Sequence, residues 1–377
     1  VKKCEYCDFL SFPADDETQL RYIKGLMAEM IFYGPVLKDY EVSTIYIGGG
    51  TPSWLNEEWI AALLEGIFEC FNVKEDAEIS IECNPGTLTL NKLLTYRDAG
   101  VNRLSIGLQS TNDEELKLLG RIHTYDQFVK NYEMARNVGY KNISVDLMYG
   151  LPQQTTEKYL DTVNRIVRLK PDHISAYSLI VEKGTPFYEK YKFDMVKQEA
   201  GMRTEFLPNE DELYEMEKAG QAQLFDAGYK QYEISNYAKN NMACRHNIGY
   251  WTRGIGAASL LDNVRYTNTS DIDKYLSGCR NIHDMKEDVF RTNLHISADV
   301  IDRKAQMEEF MFLGLRMNEG VTREAFEKSF GISIDAIYKN IIDDLKNQDL
   351  LVVRAGHIFL SPKGKDVANY VMAQFLT

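Results

Sequence analysis

The sequence predicts an α/β protein: a barrel of repeated βα units, then a C-terminal α+β extension ending in a winged-helix-like module. Three observations predict it. From about Thr44 to Ile180, short β-rich runs alternate with longer helical stretches, the pattern of parallel strands joined by helices. Along those runs one alternating set of side chains is apolar and the other small or polar, as strands between a helical layer and a barrel interior require. Near the C-terminus three helical patterns precede an apolar strand pair around Ala355-Gly356.

The strands are expected at Thr44–Gly48, Glu78–Glu82, Arg103–Gln109, Asn142–Met148 and His173–Ile180. Between them Asn56–Phe71, Asn91–Ala99 and Tyr125–Val138 carry apolar residues at helical spacing and end near Gly or Asn. The helix-facing set reads Ile45 and Ile47, Ile79 and Ile81, Leu104, Ile106 and Leu108, and Ile143, Val145 and Leu147. The opposite set reads Gly48, Ser80 and Glu82, Ser105, Gly107 and Gln109, and Ser144 and Asp146. A polar group thus falls near the C-terminal end of successive strands, the end at which βα barrels place their sites.

After Gly184-Thr-Pro-Phe187 the rhythm changes to a charged segment, a helix near Asp211–Phe225, a Tyr-rich stretch through Asn236–Trp251 and an irregular region reaching about Ser297. Helices are then expected near Glu308–Met317, Arg323–Ser329 and Ile334–Asn347, strands at Leu350–Arg354 and His357–Leu360, and a last helix after Pro362. The expected division is a barrel domain over 1–190, a connecting module over 191–300 and the winged-helix-like module over 301–377.

Composition narrows the function classes. The 377 residues are 44% hydrophobic and 26% charged, and no apolar run approaches the ~18 residues of a membrane span. An integral membrane protein is therefore not expected. Lys and Arg number 43 against 56 Asp and Glu, for a net charge of −13, which disfavours a surface built to track phosphates. The winged-helix-like module itself carries Asp343, Asp344 and Asp349, so contacts with protein are expected of it rather than DNA. The six cysteines do not read as a disulfide framework, and a reducing cytoplasm fits them better.

Cys4-Glu-Tyr-Cys7 is a CxxC pair, open to reading as half a zinc site, a redox pair, two thiolates of an iron–sulfur cluster, or an incidental spacing. Gly48-Gly-Gly-Thr-Pro52 directly follows a strand; it is either a flexible βα turn or bare backbone presented to a ligand. The other cysteines, Cys70, Cys83, Cys244 and Cys279, read as buried small hydrophobes or idle thiols. His173, His283, His295 and His357 have no partner at ligand spacing.

With these motifs the chain resembles the radical S-adenosylmethionine (SAM) proteins, whose CxxxCxxC loop follows the first barrel strand and gives three thiolates to a [4Fe–4S] cluster. Lys2 to Cys7 match the latter part of that loop, and the first cysteine is expected immediately before Val1. By position the resemblance implies a partial barrel, cluster ligation by Cys4 and Cys7, and SAM contacts from Gly49, Gly50 and Thr51. Ile81-Glu-Cys-Asn-Pro85, Arg103–Ser110, Leu119-Gly-Arg-Ile-His123 and Val145–Pro152 are similar to the branch that contains oxygen-independent coproporphyrinogen III oxidases and HemW-type haem chaperones. They imply that Glu82, Gln109, Arg121 and Asp146 bind SAM, with Tyr6 packing nearby. The residue types agree: Arg121 suits a carboxylate and Asp146 suits ribose hydroxyls. His123 is expected either to orient Arg121 or to serve a helix turn.

Two features separate the branches. Cys7-Asp-Phe9 has Phe where the oxidases carry a further cysteine, and His246-Asn-Ile-Gly-Tyr-Trp251 matches the HNxxYW motif of the chaperone type. An imidazole can ligate haem iron and Tyr250 and Trp251 offer flat apolar faces, although a His in such a setting also serves as a hydrogen-bonded structural residue. The implied function is a haem chaperone that delivers haem to haem-requiring apoproteins, with coproporphyrinogen III oxidase as the alternative. No catalytic residue is assigned, and the resemblance implies a possible homodimer. Trp251-Thr-Arg-Gly254 runs at once into Ile255-Gly-Ala-Ala-Ser259, and several residues of the family pattern are expected to be missing there.

Overall fold

A computed structural model describes residues 3–11, 13–253, 259–282 and 294–376, leaving out the side chains of residues 251–253 and 259. The chain divides into two compact units, one of residues 1–230 with 235–242 and the other of residues 231–234 with 243–377. The three-part division expected at 190/191 and 300/301 does not coincide with these units. Residues 191–230 pack in the first unit, and 243–300 group with the C-terminal module.

The first unit is built on a seven-stranded sheet. Its strands are β1 (Glu41–Ile47), β2 (Asn72–Cys83), β3 (Arg103–Gln109), β4 (Asn142–Tyr149), β5 (His173–Ser178), β6 (Lys230–Gln231) and β7 (Asn236–Ala238), in the order β1-β2-β3-β4-β5-β7-β6. From β1 to β5 all neighbours are parallel. The expected parallel sheet acquires an antiparallel margin, because β7 runs against β5.

The helices of this unit are α1 (Asp16–Tyr33), α2 (Glu57–Cys70), α3 (Leu90–Asp98), α4 (Asp113–Leu118), α5 (Tyr125–Val138), α6 (Thr156–Leu169), α7 (Pro186–Glu199) and α8 (Glu210–Asp226). Local chemistry starts and stops them. Thr124 and Gln127 form a reciprocal capping box at α5, Asn209 and Glu212 form another at α8, and Gly139 ends α5 in the left-handed region. The strand residues expected to face the helices do so: Leu104, Ile106, Ile143, Val145 and Leu147 are fully buried in the principal core with Leu64, Phe128 and Tyr159.

Lateral register aligns the other faces into polar rows. Glu82 pairs with Ser105, Ser105 with Ser144 and Ser144 with His173; one step on, Gly107 pairs with Asp146 and Asp146 with Ser175. Parallel strands in register place such neighbours on one side of the sheet.

The second unit contains α9 (Arg245–Arg253) and a three-stranded antiparallel sheet of β8 (Ser259–Leu261), β9 (Val264–Asn268) and β10 (His295–Val300), with α10 (Ile272–Arg280). The described part of the stretch expected to be irregular is therefore largely sheet and helix. Beyond it α11 (Arg303–Gly314), β11 (Val321–Thr322), α12 (Arg323–Phe330), α13 (Ile334–Asn347), β12 (Leu351–Arg354), β13 (His357–Leu360), α14 (Pro362–Asp366) and α15 (Ala368–Ala373) complete the winged-helix-like extension. Its core joins Phe326, Tyr338, Ile342, Leu360 and Phe375. No described helix is long and apolar enough to cross a membrane.

Candidate SAM and iron–sulfur site

The loop carrying Cys4 and Cys7 is held by its backbone. Glu5 N–H donates to the Leu119 carbonyl at 3.0 Å, Phe187 N–H donates to the Glu5 carbonyl at 3.0 Å, and Cys7 N–H donates to the Cys4 carbonyl at 3.3 Å. Gly120, at φ +77°, lets this loop approach: a Cβ there would stand 3.1 Å from Glu5 Cγ and 3.6 Å from Cys4 Cα. Both cysteines are free and half-buried. Burial pushes the Cys4 thiol above its ordinary value, with Arg121 opposing the shift.

Arg121 ties this loop to the strand ends. Its Nη2 donates to the Tyr6 hydroxyl at 2.7 Å and its Nη1 to Asn84 Oδ1 at 2.7 Å, while the Asn84 amide donates to Thr51 Oγ1 at 2.9 Å. The chain Tyr6–Arg121–Asn84–Thr51 thus joins three of the predicted residues through one that the sequence did not point to. Arg121 Nε is buried without a partner, and no described carboxylate lies at ion-pair distance from the guanidinium. A buried cation so placed is suited to an incoming carboxylate.

Across the mouth stand two carboxylates. Glu82 accepts from Gly49 N–H at 3.0 Å and from the Tyr46 hydroxyl. Gly48 must lack a side chain here, since a Cβ would come within 2.7 Å of the Glu82 carboxyl. Burial and then the charge of Asp146 push Glu82 up to about 7. Asp146 is also raised by burial, against the hydrogen bond from Ser175, the charge of Arg103, the hydrogen bond from Ser105 and the charge of Arg121. Gln109, at the end of β3 with φ 75°, accepts from the Tyr177 hydroxyl at 3.4 Å.

The structure brings Tyr6, Thr51, Glu82, Arg121 and Asp146 into connected polar groups at one end of the sheet, with Gly49 beside Glu82 and Gln109 beside Tyr177. Tyr46 and Asn84 belong with them. Sequence reasoning missed both: the alternation of Tyr46 with Ile45 and Ile47 is the signal that could have found it, whereas Asn84 lay inside a family-like stretch without a local sign of its role. His123 is buried with its Nε2 unsatisfied, and it is pushed down to about 4 by burial and by Arg121. It shows no hydrogen bond to Arg121, so the orienting role expected as one alternative is not built through a direct bond.

In the second unit, His246 and Tyr250 are half-buried on α9 and, four residues apart, share one helix face. Trp251 continues the same helix in backbone, but its side chain lies outside the described residues, as do His283 and residues 254–258, where family residues were expected to be missing.

The residues at the loop and the mouth fit the groups that the resemblance implies. Cys4 and Cys7 supply two thiolates on an anchored loop, the ligand type that iron–sulfur clusters use. Among the described residues no group of three or more His, Cys, Asp or Glu forms a metal site. The donor chemistry and the cradle at Gly120 fit the cluster; Arg121, with its free Nε and no carboxylate partner, and the two carboxylates Glu82 and Asp146 fit a ligand bearing both a carboxylate and a cation.

Comparison with known proteins agrees. The family model described as Radical SAM superfamily matches residues 1–166, and that described as HemN C-terminal domain matches residues 301–367. "Heme chaperone HemW" of Bacillus subtilis is 33% identical over 380 residues, covering 99% of this chain and 96% of its own length. The chain belongs to the HemW family. The HemW protein of Lactococcus lactis is 34% identical over 382 residues, covering 99% of this chain and 94% of its own. Among solved structures, coproporphyrinogen III oxidase (HemN) from Escherichia coli aligns with a TM-score of 0.80 at 21% identity, over 100% of this chain and 87% of its own. That similarity establishes the shared half-barrel fold. The HemW family is thus a radical SAM family, and a [4Fe–4S] cluster and SAM are implied for it.

Proposed function

We propose that the chain is a haem chaperone that binds haem and delivers it to haem-requiring apoproteins, with a [4Fe–4S] cluster and SAM in the half-barrel. The observation that carries this reading is the near full-length relation to HemW proteins in a chain that keeps the HNxxYW motif. Phe9, where the oxidases have a cysteine, stands against coproporphyrinogen oxidation. His246 is the haem ligand, and Tyr250 and Trp251 are the apolar faces beside the macrocycle. The cytoplasm is the expected compartment, and dimerisation is the expected consequence of cluster assembly.

In the barrel, Cys4 and Cys7 would hold the cluster together with the third thiolate that the family loop implies. When bound, the cluster would supply an iron that the methionyl amine and carboxylate could reach. Arg121 receives the methionyl carboxylate, Gly49, Gly50 and Thr51 line the amine, Asp146 accepts from the ribose hydroxyls, and Glu82, Gln109 and Tyr6 complete the surroundings.

Titrating the full-length, anaerobically reconstituted protein with haem, followed by the Soret band, tests the haem assignment. Saturable binding weakened roughly tenfold by His246→Ala is expected. No saturable binding would overturn the reading, and binding unchanged by the substitution would place the iron ligand elsewhere.

The Glu82 carboxyl gives a pH prediction. Raised from 4.5 to about 7, it binds a proton in the folded chain that an unfolded chain has lost. Its contribution to stability is therefore fully present below about 4.5 and lost as pH rises through about 7. A cationic ligand reverses the preference and expels the proton. SAM affinity should accordingly rise about tenfold from pH 6 to pH 8, with proton release measurable by calorimetry in buffers of different ionisation enthalpy. Glu82→Gln should flatten the slope; an undiminished slope in that variant would assign it to another group.

A further inference from the structure

Asp146 sits in a nest of hydroxyls contributed by three adjacent strands. Ser105 Oγ donates from β3, at 3.2 Å to Oδ1 and 3.3 Å to Oδ2. Ser175 donates from β5. Ser144, two residues back on β4, lies 3.4 Å from Oδ1 through its Oγ. The same Ser144 Oγ lies 2.8 Å from Nδ1 of His173, which the sheet register places directly beside it. Ser144 and His173 are both fully buried, at 0% exposure.

A hydroxyl carries one proton, so Ser144 cannot donate to both neighbours. If His173 Nδ1 bears the proton, the imidazole donates to Ser144 Oγ and leaves the hydroxyl hydrogen for the Asp146 carboxylate. If Nδ1 is bare, Ser144 donates to it and turns a lone pair toward Asp146, which repels an ionised carboxylate. The charged groups around Asp146 are Arg103 on the same polar face, Arg121 from the cluster side and Glu82, the last repulsive. Burial keeps His173 neutral, so its tautomer rather than its charge is the variable.

We infer that Ser144 and His173 are positioning residues for ribose recognition: with His173 in its Nδ1–H tautomer, Ser144 is left as a donor to Asp146 and orients that carboxylate towards a vicinal diol. The inference rests on the proposed role of Asp146 in SAM binding. Neither residue reaches the ligand. They act through the orientation of one carboxylate, as outer hydrogen-bond partners do around other preorganised groups.

The test measures affinity of the full-length protein for S-adenosylhomocysteine and for its 2′-deoxy analogue, with the melting temperature recorded for each variant. Ser144→Ala and His173→Leu are each expected to weaken the ribose probe about fivefold, the scale of one neutral hydrogen bond, and to affect the deoxy probe less. His173→Asn, whose amide reaches the place of Nδ1, is expected to restore binding. Wild-type affinity in Ser144→Ala and His173→Leu, or equal losses on both probes, would overturn the inference while a weakened Asp146→Asn left the site reading standing. Unchanged binding by Asp146→Asn would overturn both. Should His173→Leu fail to fold, Ser144→Ala decides, since it removes only a hydroxyl.

Discussion

Arg121→Leu should weaken SAM binding by about 100-fold, equivalent to ~2.7 kcal/mol, the scale of removing one charged hydrogen bond from a buried site. The expectation follows from what the guanidinium holds. It donates to Tyr6 on the cluster loop and to Asn84, which in turn fixes Thr51, and its Nε is without a partner. Removing it takes away the cation offered to a ligand carboxylate and leaves two neighbours without their donor. Arg121→Lys should recover part of the affinity, because a point charge remains while the planar fork is gone. Equilibrium titration checks both; affinity within threefold of wild type in Arg121→Leu would remove the carboxylate role.

Cys7→Ala should abolish the cluster. A [4Fe–4S] centre on the full-length protein gives about four irons per chain, and with one of three thiolates gone the reconstituted variant should retain less than about one. Among the described residues no group of three or more His, Cys, Asp or Glu stands ready to take the metal instead, and Cys83, Cys244 and Cys279 are buried. Iron and sulfide analysis after anaerobic reconstitution reads the result. Full iron content in a Cys4→Ala, Cys7→Ala double variant would show that these thiolates do not hold the metal.

The half-barrel was legible because its signal is local. Apolar residues at every second position of Arg103–Gln109 and Asn142–Tyr149 mark strands whose outer face packs on helices, and the complementary residues mark the interior. Helix α7 escaped that logic: it buries Phe187, Tyr191 and Asp194 while exposing Phe193 and Val196, so no clean apolar stripe runs along it. The sheet β8–β9–β10 escaped because its strands are short and carry Arg265, His295 and Asp299, which read as loop.

The same division applies to the site. Residue types at strand ends announced Glu82, Gln109 and Asp146, and the motif resemblance announced the cysteines and the glycine loop. What joins them depends on pairings between distant positions: Arg121 meets Tyr6 across 115 residues, and Ser144 meets His173 across 29. Only the sheet register converts a His without ligand-spaced partners into a neighbour of Ser144.

Haem transfer is the measurement that bears most directly on the whole account. Full-length reconstituted protein loaded with haem, mixed with an apo-haemoprotein, should lose its Soret band as the acceptor's band grows to stoichiometric occupancy. The same preparation, given SAM, a reductant and coproporphyrinogen III, should release no carbon dioxide. Failure to bind and pass on haem, together with decarboxylation of coproporphyrinogen III, would contradict the chaperone reading and make the chain an oxidase.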